Sequence, residues 1–281
     1  MRVSLELPVI HPTGLARCAA AIEAAGFDAC FVTDHPFPPR VWLEGGGHET
    51  LDPFVALSFA AAATNTLRLH THCLIPAYRN PFTTAKAIAA LDACSNGRII
   101  LGVAAGYLRS EFEQLGVPFD ARGQRLDDTL TAMRAAWAGE AANVLHPEPV
   151  QRPHPPIWVG GNTDAAMRRA ATAEGWSPFP APAKMASRVR TAALDDLDAL
   201  TKAVHRYREL AGHERDVCFS PLSHPAMRDV ANAQAFLDEA GELARIGVTW
   251  IAFHLPAPSV DGFCDTVSEF GPAVMPAVHA L

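Results

Sequence analysis

The chain has 281 residues, 49% of them hydrophobic, which suits one large core and a single parallel barrel of roughly 250 residues rather than two full domains. Its 23 basic and 30 acidic residues leave a formal charge of −7 with no block of Lys or Arg, so nucleic acid and acidic membrane are excluded as expected partners. No apolar run approaches the roughly 20 residues of a membrane span, and the expected location is the cytoplasm.

The first predicted strand covers residues 2–7, at the start of the chain. A helix over 15–25 follows, with apolar spacing at Leu15, Cys18, Ala19 and Ile22; it stops at Gly26, and a β-rich run over 27–32 begins at once. The same order of alanine-rich helix, glycine stop and short strand returns at 85–93 with 98–103, at 165–174 with 176–179, and at 235–246 with 248–253. Asp52-Pro53 and Asn80-Pro81 mark helix starts, since each sets a side-chain acceptor at the cap and a fixed backbone angle in the first turn. Those helices lead into strands over 67–74 and 98–103. With 157–160 and 216–220 the chain has eight strands alternating with helices.

That alternation predicts an α/β fold, a closed (β/α)8 TIM barrel forming one domain over 1–281. An open doubly wound sheet is the other arrangement, but no G-x-G-x-x-G follows the first strand. Three segments read as loops. Residues 35–51 hold Pro36, Pro38, Pro39 and Gly45-Gly46-Gly47 and form a candidate lid; 140–156 is proline-rich; 177–182 follows the sixth strand. The cysteines at 18, 30, 73, 94, 218 and 264 contain no C-x-x-C pair and read as reduced core residues.

Candidate chemistry collects at predicted strand ends. Thr33-Asp34-His35 ends the second strand, where barrels aim side chains at ligands, and His35 is the first candidate for acid or base work. The plainer reading is a histidine capping a loop carbonyl; Asp34 either orients a ligand or caps the same loop. In the third strand His70 and His72 share a face by alternation, a spacing that suits the metal of a barrel hydrolase, with His224 and His254 near later strand ends. The small residues from Gly102 to Gly106, followed by Tyr107, leave room for a flat ring against the backbone. Gly160-Gly161-Asn162-Thr163 joins a strand to a helix whose first amides are free to hold a phosphate, or is simply a tight turn. No P-loop lysine follows it, which disfavours nucleotide hydrolysis.

Three longer blocks carry a family resemblance: Tyr78-Arg79-Asn80-Pro81-Phe82 through Gly97-Arg98; the stretch from Gly102 to Asp128 with Glu111-Phe112, Leu115-Gly116 and Arg122-Gly123-Gln124-Arg125; and Pro155-Pro156-Ile157-Trp158-Val159-Gly160-Gly161 with Gly175-Trp176. Over about residues 1–180 the chain resembles the luciferase-like oxidoreductases, in particular the branch that uses the deazaflavin coenzyme F420. The resemblance implies hydride transfer involving a small-molecule substrate, and a homodimer. It implies His35 facing the ring's reactive centre with Asp34 beside it, His72 and Cys73 in a third-strand bulge behind the ring with a non-proline cis peptide, Gly106 and Tyr107 at the ring edge, and Gly160, Gly161 and Asn162 around the phosphate. Ala104 departs from a common glycine. Tyr107 stands where sugar-phosphate dehydrogenases of the branch carry a carboxylate, so glucose 6-phosphate oxidation is not expected. Arg40 and Trp42 near the lid leave the substrate open. An FMN-dependent monooxygenase on the same barrel is the near alternative; a metal-dependent hydrolase using His70 and His72 and a non-catalytic coenzyme-binding protein are the distant ones.

Overall fold

In the computed structural model, which describes residues 1–9, 12–223 and 230–281, eight parallel strands close into a barrel in chain order. They are β1 (Arg2–Glu6), β2 (Ala29–Val32), β3 (Arg68–Leu74), β4 (Ile99–Val103), β5 (Ile157–Gly160), β6 (Gly175–Ser177), β7 (Asp216–Phe219) and β8 (Trp250–Phe253). Closure is direct: Leu5 of β1 pairs with Cys30 of β2 on one side and Phe253 of β8 on the other. The ring of helices comprises α1 (Leu15–Ala24), α2 (Arg40–Glu44), α3 (Pro53–Ala63), α4 (Pro81–Cys94), α5 (Arg109–Gln114), α6 (Arg122–Trp137), α7 (Asp164–Ala170), α8 (Ala183–Val189), α9 (Leu197–Ala211), α10 (Ala233–Ile246) and α11 (Val260–His279). No helix of the described residues is long and apolar enough to cross a membrane.

Strand alternation sorts side chains into two cores. Val3, Leu5, Cys30, Val32, Leu101 and Val159 point outward to the helices. Ala29, Phe31, Ile100, Trp158, Trp250 and Ala252 fill the lumen, as a closed barrel requires. The two expected helix starts are real caps: Asp52 Oδ1 accepts from the Phe54 and Val55 amides at 3.0 and 3.2 Å, and Asn80 Oδ1 from Phe82 and Thr83 at 3.0 and 3.3 Å. The helix expected over 165–174 ends earlier, at Ala170. Its tail is taken over by the sheet: the Glu174 amide donates to the Ile157 carbonyl at 2.9 Å, and the Ile157 amide to Glu174 Oε2 at 2.8 Å. The segment 178–182 after β6 is a loop, as expected, and leads into α8. All six cysteines are unpaired thiols; Cys94, unlike a core residue, is exposed.

The top of the barrel is shaped by one irregularity in β3. The β3–β4 register shifts between Thr71 and Leu74, and the His72–Cys73 peptide is cis, as the resemblance implied. His70 and His72 do share the lumen face, their rings 5.0 Å apart. His70 is fully buried with Nδ1 3.3 Å from Ser4 Oγ, and burial drives its pKa far below the ordinary range. Among the described residues no group of three or more His, Cys, Asp or Glu side chains is disposed to hold a metal ion. His224 lies outside the described residues.

Candidate active site

A cavity of about 610 Å3 opens above the strand ends, within the size range of small-molecule and cofactor sites. His35 stands at one end of it. Its backbone leaves β2 through Asp34, whose buried carboxylate (3% exposed) accepts from the Ile75 amide at 2.9 Å and from both Arg79 Nη atoms at 3.2 and 3.0 Å. Burial lifts the Asp34 carboxyl above its ordinary value, although the guanidinium pulls the other way. Arg79 also reaches Asp52 at 3.0 Å, so one cation ties the end of β2 to the cap of α3 and the far side of the β3 bulge. Asp34 is on the cavity wall, but its oxygens are committed to this frame.

The His35 ring is fixed by a residue that the sequence reading placed only in a family block. Glu111 of α5 is 0% exposed; its Oε2 lies 3.2 Å from His35 Nδ1 and accepts from the Tyr78 hydroxyl at 3.0 Å, while Oε1 accepts from the Phe37 amide at 3.3 Å. A carboxylate only accepts, so Nδ1 carries the proton and, in the neutral imidazole, Nε2 is left as the acceptor. That Nε2 lies 3.5 Å from the Tyr107 hydroxyl. Burial, followed by Glu111, pushes the Tyr107 phenol up to about 12, so it stays a neutral hydroxyl. Trp42 of α2 packs with its ring centre 4.6 Å from that of His35, and His48 lies beside both rings with its Nε2 3.0 Å from Thr33 Oγ1. The only trace of Glu111 in the sequence was a carboxylate beside an aromatic at a helix start.

The floor between the two ends is made of small groups, among them Cys73, Ala104 and Ala105. Burial pushes the Cys73 thiol up to about 12, which leaves it a packing group rather than a nucleophile. Beneath it, His72 Nδ1 lies 3.3 Å from Ser177 Oγ, and burial lowers the imidazole to about 4. Two glycines hold this surface flat. A Cβ on Gly160 would meet Cys73 Sγ at 2.7 Å, and Gly106 has φ +82° with its would-be Cβ 2.9 Å from the Phe112 ring.

At the other end, Gly160, Gly161 and Thr163 face Arg122, Arg169 and Arg190 around the cavity. Thr163 Oγ1 caps α7 by accepting from the Ala166 amide at 3.1 Å. Of the nine residues expected at the site, His35, Asp34, His72, Cys73, Gly106, Tyr107, Gly160 and Gly161 line the one cavity and Asn162 does not. The Asn162 amide is spent elsewhere: Nδ2 donates to the Phe179 and Ala192 carbonyls at 2.9 and 3.1 Å, and Oδ1 accepts from the Phe179 amide at 3.0 Å. It pins the segment around α8 rather than lining the cavity.

The chain as a whole has relatives of known sequence and structure. The chain is 32% identical over 279 residues to an uncharacterized protein of Mycobacterium tuberculosis (strain H37Rv), covering 90% of this chain and 89% of that one. It is 30% identical over 147 residues to the FMNH(2)-dependent dimethylsulfone monooxygenase of Pseudomonas putida, covering 47% of this chain and 40% of that one. The fold matches the monooxygenase RslO1 from Streptomyces bottropensis with a TM-score of 0.76 at 22% identity, covering 100% of both chains. It matches an F420-dependent secondary alcohol dehydrogenase with a TM-score of 0.73 at 16% identity, covering 97% of this chain and 98% of that one. At such identities the structural matches speak for the fold alone. The family model for luciferase-like monooxygenases matches residues 2–240, most of the barrel including both ends of the cavity, and the chain belongs to that family of flavin- and F420-dependent oxidoreductases.

Proposed function

We propose that the protein is a coenzyme F420-dependent oxidoreductase that moves a hydride to or from a small organic substrate. One observation carries the reading: a single cavity joins an oriented histidine at one end to a glycine turn ringed by arginines at the other. That order of polarity fits a planar ring with an anionic tail, and the glycine-flattened floor fits the ring's width.

F420, when bound, supplies the carbon centre that gives or takes the hydride. The chain's own residues do the rest. Gly160, Gly161 and Thr163 hold the phosphate, and Gly106 with the β3 bulge keeps the floor clear of side chains. His35 Nε2 takes the proton that leaves the substrate as the hydride moves, or returns it in the reverse direction, while Glu111 keeps the other ring nitrogen protonated and the ring aimed. The apolar faces of Val55 and Phe59 on α3 and Phe82 on α4, all exposed, support a homodimer.

FMN-dependent monooxygenation is the second reading, favoured by the similarity to the dimethylsulfone monooxygenase. Titration with each coenzyme, followed by tryptophan emission, separates the two. F420 is expected to bind the more tightly. Tight FMN binding with no response to F420 reverses the order.

A further inference from the structure

We propose that Cys18 and Cys264 form a reversible dithiol pair that a hydroperoxide converts to a disulfide, locking helix α11 onto helix α1. Neither residue lines the cavity, so the inference goes beyond the coenzyme reading and does not rest on it. Its basis is the register of two helices at the seam where the end of the chain packs against its beginning.

Helices α1 and α11 start level and run side by side. A Cβ on Gly14, the residue before α1, would run into the Val260 side chain at the head of α11, and a Cβ on Gly271 would run into the Ala25 carbonyl at the foot of α1. In both contacts the α11 partner is numbered 246 above its α1 partner, 260 against 14 and 271 against 25. Carried along the helices, that register sets Cys18 opposite Cys264, four residues beyond the first contact and seven before the second. Such steps return to the same face of a helix, so both cysteines lie in the contact stripe. Arg17 and Asp261 form an ion pair across the same seam at its solvent edge. The two glycines bring the backbones close together, as a disulfide requires.

The two thiols are unequal: Cys18 is buried and Cys264 is partly exposed. Burial, followed by the charge and hydrogen bonding of Cys264, pushes the Cys18 thiol up to about 12, while Arg17 pulls it down. Cys264 is therefore the residue that meets an oxidant. Its thiolate attacks the terminal oxygen of the hydroperoxide and the O–O bond breaks. Water or an alcohol leaves, carrying the proton that Cys264 released, and a sulfenic acid remains on Cys264. The neutral sulfenic acid no longer opposes ionisation of Cys18, and Arg17 still favours it. Cys18 then attacks the Cys264 sulfur, the S–O bond breaks, and the hydroxyl leaves as water with the Cys18 proton. The two thiols have given two electrons to the peroxide, and a small dithiol returns them by thiol–disulfide exchange. The crosslink closes a loop over most of the chain, so it restricts the unfolded state and raises stability.

The test treats the full-length Cys94→Ser protein, freed of its exposed cysteine, with hydrogen peroxide; alkylatable thiols are then counted in denaturant and non-reduced peptides are mapped by mass spectrometry. The thiol count should fall by two, with the Cys18 and Cys264 peptides joined. The melting temperature should rise by about 5 °C, and dithiothreitol should reverse both changes. Cys264→Ser should abolish the crosslink. Cys18→Ser should halt Cys264 at the sulfenic acid, which dimedone traps, and Cys18→Ala, which keeps an apolar group in the core, repeats this arm if the serine disturbs folding. A pair that stays reduced, oxidation confined to other cysteines, a Cys264 sulfenic acid that persists beside Cys18, or a crosslink that leaves the melting temperature unchanged overturns the proposal.

Discussion

The two ends of the cavity are finished to different degrees. Around His35 the protein supplies its own partners: Glu111 takes Nδ1, Tyr78 and Phe37 complete Glu111, and Tyr107 faces Nε2. Around the Gly160-Gly161 turn Arg122 and Arg190 line the cavity without an ion pair among the described residues, Arg122 being held by the Phe119 carbonyl and ring. The first end is preorganised for chemistry, since its polar groups are fixed before substrate arrives. The second presents backbone and cationic groups to the cavity. Changes at the first should therefore appear in turnover and its pH dependence, and changes at the second in affinity and its salt dependence.

The largest expected effect breaks the comparison at its stronger side. His35→Ala should lower turnover by about 10² to 10⁴, the usual worth of a positioned acid or base, while coenzyme affinity stays within about threefold. Steady-state kinetics beside a fluorescence titration check both halves; unaltered turnover would deny His35 its role. Glu111→Gln comes next. The amide keeps the shape but no longer fixes which ring nitrogen bears the proton, so turnover should drop about 10- to 100-fold with a displaced pH profile. Glu111→Ala should in addition cost about 1–3 kcal/mol of stability, because the Tyr78 hydroxyl and Phe37 amide lose their acceptor in a buried place. A Glu111→Gln profile that matches the wild type would reduce Glu111 to packing.

The floor shared by both ends gives a pH test. Burial holds His72 at about 4, below the usual 6.5, so from about pH 6.5 downward the unfolded chain takes up a proton that the folded chain refuses. The stability this represents is complete above pH 6.5 and is lost as pH falls toward 4, with a slope of up to about 1.4 kcal/mol per pH unit. Glu6 works in the opposite sense, since burial lifts it from 4.5 to about 7 and its folded-state preference for the neutral acid weakens stability as pH rises through that interval. The clean measure is thus the difference between wild type and His72→Gln in urea midpoints at pH 7.5 and pH 5. The variant should lose less on acidification, and equal losses would mean that His72 titrates normally.

What the sequence revealed follows physical range. The glycine stops at Gly26, Gly97 and Gly247 and the Asp52 and Asn80 caps depend on neighbours within a few residues, and they stand where local patterning put them, whereas Gly175 opens β6 itself. The same holds for His35, Gly106 and Gly160, which are read from their place at the end of a strand. Glu111 acts 76 positions away from His35, and nothing local to α5 reports that pairing. Helix α7 ended early for a similar reason: Glu174 serves β5 rather than its own helix.

Asn162 joins these lessons and gives the smallest effect. Local sequence placed it in the phosphate turn, yet its amide holds Phe179 and Ala192, some 17 and 30 residues further on. Its influence on the ligand must therefore pass through the wall that carries Arg190. Asn162→Ala should loosen that wall and lower the melting temperature by a few degrees, while coenzyme affinity changes by less than about threefold because the Gly160-Gly161 backbone is retained. Direct coordination of the phosphate by the Asn162 side chain would instead weaken coenzyme binding by about tenfold or more. Measuring both quantities on this one variant distinguishes a residue that touches the coenzyme from one that positions the wall beside it.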